Sequence, residues 1–157
     1  MPVFMFGGEK GGCGKSTLAT NLAVCMAHQK LDTVLVDTDP QNTSSKWITR
    51  RNNQIENGFD IPLVHCIQRT GNVHKAILDL EGRYDCVIID AGGNDNEAQR
   101  TAMTAADMLF VPIRASQADL ETLPYVCQLI DMAKNFNPEL VVFSLISMAP
   151  TDRKSVV

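Results

Sequence analysis

Two sets of residues in this chain have types and spacings suited to chemistry. One is a glycine-rich run with two lysines, Lys10-Gly-Gly-Cys-Gly-Lys-Ser-Thr17; the other is three aspartates, Asp37, Asp39 and Asp90, that close apolar runs. A phosphate chain is held by several backbone N–H donors aimed at one point, with a positive charge beside them. Glycines let the main chain curl so that consecutive amides face inward. A helix opening at Ser16 adds its free N–H groups and the positive end of its dipole. In that arrangement Gly11, Gly12, Cys13, Gly14 and Thr17 line the anion, Lys15 reaches the outer phosphates, and the Ser16 hydroxyl is placed for Mg²⁺. The strict pattern G-x-x-x-x-G-K-[ST] is missed by one position, because Glu9 stands where its first glycine belongs. With glycine at about 7% of average usage, the six fixed positions of K-G-G-x-G-K-[ST] arise by chance on the order of once in 10⁷ starts.

The aspartates suit the counter-role. Mg²⁺ takes oxygen ligands and keeps several waters, so a carboxylate is expected near Ser16. Asp90 ends Cys86-Val-Ile-Ile-Asp90, where an unpaired charge is costly to bury. A metal hydration shell would relieve it, and so would the N terminus of a following helix. Asp37 and Asp39 are two apart and share a face in an extended chain, while Pro40 ends that strand. The same D-x-D-P sequence also makes an ordinary turn. Lys10, taken on residues alone, is a loop lysine in solvent, and its glycine neighbours let it swing away from Lys15.

The elements that must position these residues follow from periodicity. Strands are expected at Val3–Phe6, Thr33–Asp37, Pro62–Ile67, Cys86–Asp90, Met108–Ile113 and Leu140–Ile146. Helices are expected at Ser16–Gln29, with Leu18, Leu22, Cys25 and Met26 on one stripe, and at Ser44–Asn53, with Trp47 and Ile48 facing in. Further helices are expected at Val73–Leu80, closed by Gly82, at Glu97–Ala106 and at Leu120–Asn135. Such alternation gives an α/β fold, a mostly parallel twisted sheet with helices on both faces. Ligands then bind beyond the carboxyl ends of the strands, where the glycines and all three aspartates fall.

The 157 residues fit one domain, residues 1–157, and no apolar run reaches the roughly 18 residues of a membrane span. The N terminus has no basic flank or small-residue cleavage site, so a cytoplasmic protein is expected. A net charge of −4 argues against a dedicated nucleic-acid binder. The five cysteines show no metal-ligand spacing, and four sit in apolar surroundings as small hydrophobes. His28, His65 and His74 are scattered.

Lys10-Gly-Gly-Cys-Gly-Lys-Ser-Thr17 resembles the deviant Walker A loop of the ParA/MinD ATPases, P-loop NTPases in which Lys10 would be the signature lysine. Val34-Leu-Val-Asp-Thr-Asp-Pro-Gln41 resembles the family's D-x-D-P-Q motif, and Tyr84–Asp90 its Walker B strand. Ala106–Ile113 with Ser116 and Asp119 resembles the stretch that follows. The likeness spans nearly the whole chain, and Thr38 and the Trp47 region bring it closer to the small plasmid-partition ParA proteins than to MinD. The resemblance implies an ATP hydrolase that uses ATP and Mg²⁺ and dimerises on binding ATP. It would act in plasmid or chromosome partitioning with a ParB-type partner and without a membrane. It also implies roles: Asp39 would position the attacking water and Asp37 a magnesium-bound water. Lys10 would reach the phosphates of the second subunit, acting as an arginine finger does.

Two features depart from the family. After Asp90 stands Ala-Gly-Gly-Asn-Asp95 in place of a Thr-Pro-Pro turn, which is expected to make this switch segment more mobile. The family's adenine-contacting loop, later helices and basic DNA-binding region have no counterpart up to Val157, so the chain is expected to lack them. The other readings are a non-hydrolysing nucleotide-binding module and a biosynthetic relative such as dethiobiotin synthetase. Lys10 and D-P-Q weigh against the latter.

Overall fold

The computed structural model describes residues 2–93 and 96–149. Asn94 and Asp95 of the switch segment, and the tail from residue 150, lie outside the described residues. Among the described residues six strands and six helices follow in the order β1 Val3–Phe6, α1 Lys15–His28, β2 Thr33–Asp37, α2 Thr43–Glu56, β3 His65–Gln68, α3 His74–Glu81, β4 Cys86–Asp90, α4 Glu97–Met103, β5 Met108–Arg114, α5 Gln117–Leu120, α6 Leu123–Lys134 and β6 Val141–Ser147. The strands form one sheet in the order β3-β2-β4-β1-β5-β6, and every pair is parallel. That is the expected P-loop NTPase architecture.

The pleat sorts the strand residues onto two cores. Val3 and Met5, Val34 and Val36, and Val87 and Ile89 face α3, α4 and α6, where Ile77, Ala102 and Leu129 complete the cluster. Phe6, Leu35, Cys86 and Ile88 face α1 and α2, against Ala19, Ala23, Ala27 and Ile48. The central strands β2 and β4 are buried throughout, which is why they are continuous apolar runs rather than alternating ones. The register sets Phe6 beside Phe110 and Phe110 beside Phe143, and the rings stack at 5.3 and 5.4 Å. Asp37 lies level with Asp90, and Phe6 with Asp90, so the glycine loop and both aspartates leave the sheet at one edge.

Several expectations give way to local physics. The fully buried stripe of α1 includes Ala19, Ala23 and Ala27; of the expected stripe, Leu18, Leu22 and Met26 pack against that core partly buried, and Cys25 does not. Small side chains bring the helix close to the sheet, and Cys25 points to solvent. Trp47 does not face in: it is 38% exposed while Ile48 is 1% exposed. Gly82 ends α3 with φ −73, an ordinary right-handed value, not a left-handed cap. Helix α4 stops at Met103, because the Asn137 side chain donates to the carbonyls of Met103 and Ala106 at 3.1 and 2.7 Å. The single helix expected from Leu120 becomes two. Ser116 caps α5, and Pro124 starts α6, where its missing N–H costs nothing. The third strand begins at His65 rather than Pro62. All five cysteines are free. Cys13 and Cys86 are buried, Cys66 partly so, and Cys25 and Cys127 are exposed, so fewer are small core hydrophobes than expected.

Candidate nucleotide site

The glycine run forms a tight loop between β1 and α1. Gly12 at φ 76 and Gly14 at φ 94 adopt left-handed conformations that side chains resist, and Gly14 is the N-cap of α1. No side chain caps this helix and no acidic residue sits in its first turn. Its leading N–H groups are therefore offered to an anion. Lys15 is only 6% exposed, and its ammonium donates to the Lys10 carbonyl at 2.6 Å and approaches Cys13 Sγ at 3.8 Å. A buried cation is thus held inside the curl of the loop. The loop opens on a cleft of about 320 Å³ whose lining includes Gly12, Lys15, Ser16, Asp39, Gly93 and Met148.

Asp90 is fully buried beneath this cleft. Ser44 donates its hydroxyl to Asp90 Oδ2. The other oxygen, Oδ1, has no partner. Burial pushes the Asp90 carboxyl up to about 6; the Ser44 and Ser16 hydroxyls pull against this, Asp37 adds to it, and Lys15 opposes it. An orphaned buried carboxylate oxygen beside a serine hydroxyl fits a hard cation or its water. Among the described residues no three His, Cys, Asp or Glu side chains converge into a protein-only metal cage. The helix-cap alternative for Asp90 is excluded, because Asn96 caps α4 by accepting from the Gln99 N–H at 2.8 Å.

The other two aspartates differ in burial. Asp37 is 1% exposed, and its oxygens accept from the Asp39 N–H at 3.1 Å and the Ser45 N–H at 2.8 Å, tying β2 to the start of α2. Asp39 lies in the cleft, with one oxygen accepting from the Gln41 N–H at 2.9 Å.

The Lys10 side chain leaves the loop in the other direction. Its ammonium meets Asp119 Oδ1 at 2.6 Å. Asp119 is buried and also accepts from the Arg114 N–H at 2.7 Å and from the Arg114 guanidinium. Lys10 first, then Arg114, holds this carboxyl far below the ordinary carboxylate range. Lys10 is therefore an ion-paired residue, not a solvated loop lysine.

Four participants were not singled out from the sequence for these roles. Ser44 holds Asp90 from across the sheet edge, and Thr38 donates to the Asp90 carbonyl at 2.9 Å through its N–H. Met148, at φ 53, closes the cleft from the end of β6. Gly93 allows contact: a methyl added there would lie 2.9 Å from the Gly11 nitrogen. The Gly92-Gly93 pair thus lets the switch backbone rest on the loop and on Asp39. Only a hydroxyl-rich start to α2 hinted at Ser44, and the Gly-Gly run after Asp90 marked Gly93 without showing its contact with Gly11.

Residues 2–136 match the family described as ATPase MipZ. The chain belongs to the MipZ ATPase family. The resemblance to the ParA/MinD ATPases is thereby borne out. Among relatives of this MipZ-family chain, a chromosome partitioning protein ParA from Myxococcus xanthus is 26% identical over 167 residues, covering 84% of this chain. A maintenance of carboxysome distribution protein A from Gloeobacter kilaueensis is 36% identical over 115 residues, covering 73% of this chain. The chain spans 59% of the length of the first and 50% of the second. In fold it is similar to a plasmid partition protein from Borrelia burgdorferi, with a TM-score of 0.73 at 16% identity, covering 97% of this chain and 80% of that one. Among the described residues no helix of the MipZ-family chain is long and apolar enough to cross a membrane.

Proposed function

We propose that this chain is a Mg²⁺-dependent ATP hydrolase that pairs with a second copy on binding ATP and acts in plasmid or chromosome partitioning. One observation carries the reading: an uncapped helix N terminus with a buried lysine in its loop opens beside a buried carboxylate that has one unpartnered oxygen. The family, and relatives named for chromosome partitioning, support the biological setting.

In this reading the loop amides from Gly11 to Thr17 cradle the phosphates. Lys15 turns from the Lys10 carbonyl to the outer phosphate oxygens. Ser16 and Asp90 would hold the metal, and Asp37 would face its hydration shell. When bound, Mg²⁺ supplies charge neutralisation on the phosphates. Asp39, in the cleft, orients the attacking water. Lys10 must first leave Asp119 before it reaches the phosphates of the second copy. An isolated chain then binds ATP but turns it over slowly, and a ParB-type partner raises the rate.

The test is ATP turnover measured together with sizing chromatography, across protein concentration and with and without duplex DNA. Turnover per chain should rise with concentration as an ATP-dependent dimer appears. A chain that stays monomeric in saturating Mg-ATP, with constant turnover per chain, would overturn the dimer reading. Tight binding without any turnover would favour the non-hydrolysing module.

A further inference from the structure

The carboxylate that holds Lys10 is itself held twice. Asp119 lies on α5, a four-residue helix capped by Ser116, whose hydroxyl accepts from the Asp119 N–H at 3.2 Å. The Asp119 side chain is 2% exposed, and its two oxygens are divided between two cations. Oδ2 accepts from the Arg114 N–H at 2.7 Å and from Arg114 Nε at 3.2 Å, while Oδ1 meets the Lys10 ammonium at 2.6 Å. Arg114 Nη2 stands 3.5 Å from Oδ1, at the outer limit of a hydrogen bond.

Taking one partner away from a buried ion pair is strongly unfavourable, because it leaves an uncompensated charge. Lys10 has the freedom to leave: its side chain is 32% exposed, and Gly11 and Gly12 follow it. Asp119 does not. Its carboxylate is tied to the Arg114 main chain, and β5 is paired there with β6, Arg114 beside Ser147. The charge that Lys10 would abandon therefore stays where it is. Arg114 is built to take it over, since a planar guanidinium suits a two-oxygen bond to a carboxylate. With Lys10 gone, a small tilt brings Nη2 from 3.5 Å into an ordinary bond with Oδ1, while Nε already holds Oδ2.

We propose that Arg114 is a positioning residue for Lys10: it holds the buried Asp119 charge when Lys10 lets go, and so sets how readily Lys10 moves to the phosphates of a second copy. The destination rests on the role proposed for Lys10 in the ATP-bound dimer; the exchange of partners at Asp119 does not.

Two measurements separate the exchange from its destination. The first is competitive acetylation of the full chain without nucleotide, with Lys10 read by mass spectrometry. Arg114→Met leaves Asp119 to Lys10, which should then label at least about threefold more slowly than in the parent, a small part of a buried pair's strength. In Asp119→Asn, and in the double variant Arg114→Met/Asp119→Asn, Lys10 should label faster than in the parent. The second is sedimentation velocity with Mg²⁺ and a non-hydrolysable ATP analogue. Arg114→Met should need at least about tenfold more protein to dimerise, as loss of a buried charge partner does. The double variant should return to within about threefold of the parent, because no buried charge is left to hold Lys10. Cooperative urea unfolding verifies that each variant folds; Arg114→Gln replaces Arg114→Met if it does not. Unchanged Lys10 labelling in Arg114→Met would overturn the proposal. So would an Arg114→Met chain that dimerises as the parent does, or a double variant as impaired as the single one, the mark of a merely structural role. The expected labelling series with no ATP-dependent dimer in the parent would overturn the destination of Lys10 and support the role of Arg114 at Asp119.

Discussion

Replacing Asp90 with asparagine should make the ligand-free protein more stable at neutral pH, although it damages the site. Asp90 is fully buried, with one oxygen unpartnered, and its carboxyl is pushed from 3.8 up to about 6, chiefly by burial. The folded protein therefore holds this proton to a higher pH than the unfolded chain. Between those two values the folded state binds more protons, so stability falls as the pH rises through the window. The difference, about 2.2 pH units at about 1.4 kcal/mol each, amounts to about 3 kcal/mol lost above pH 6. An asparagine carries no charge and still accepts from Ser44 through its carbonyl. Its amide hydrogens replace the orphaned oxygen and cost about 1–2 kcal/mol of that gain. Asp90→Asn should thus be about 1–2 kcal/mol more stable than the parent at pH 7.5, with the advantage gone near pH 4, where both groups are neutral. Urea unfolding of both proteins at the two pH values, without nucleotide or metal, measures it. A variant less stable at pH 7.5, or a difference that does not change with pH, would refute the reasoning that Asp90 is an uncompensated buried charge awaiting a cation.

Three further substitutions separate the roles of the cleft residues. Lys10→Ala should leave nucleotide binding by the monomer intact and abolish ATP-dependent dimers in sizing chromatography; unchanged hydrolysis would remove Lys10 from the reaction. Asp39→Ala should give an ATP-bound dimer that stalls, with single-turnover hydrolysis down about 100-fold or more, the range of a lost catalytic group. Gly93→Ala places a methyl against the Gly11 backbone, which cannot rotate away. It should cost about 1–3 kcal/mol, as other overpacking does, and weaken nucleotide binding; wild-type unfolding and titration curves would contradict the close approach.

How much of this was legible depended on the range of the interaction. Cys86–Asp90 matches its expected bounds, because a strand buried on both faces must be apolar at every position. The glycine loop was legible because its geometry is written in consecutive residues, including the left-handed Gly12 and Gly14. The centre of the α1 face was less legible: hydrophobicity marks Leu18 and Leu22, which flank the core partly buried, while the close helix–sheet approach places Ala19, Ala23 and Ala27 at its middle. Trp47 was misplaced for a related reason, since Ile48 beside it fills the core position. The site's long-range partners were the least legible. Ser44 lies 46 residues from Asp90 in sequence, and only the parallel pairing of β2 with β4 brings them together. The Lys10–Asp119 pair likewise needs β1 beside β5. Gly93 permits a backbone contact with Gly11 that any side chain there would block.

The most direct test of the central claim is isothermal titration of Mg-ATP into this chain and into Lys15→Ala. One site per chain is predicted for the parent, with affinity falling at least about 100-fold in the variant, the equivalent of about 3 kcal/mol. Equal affinity in the two proteins, or no binding to the parent, would contradict the assignment of Lys10–Thr17 as the phosphate-binding loop.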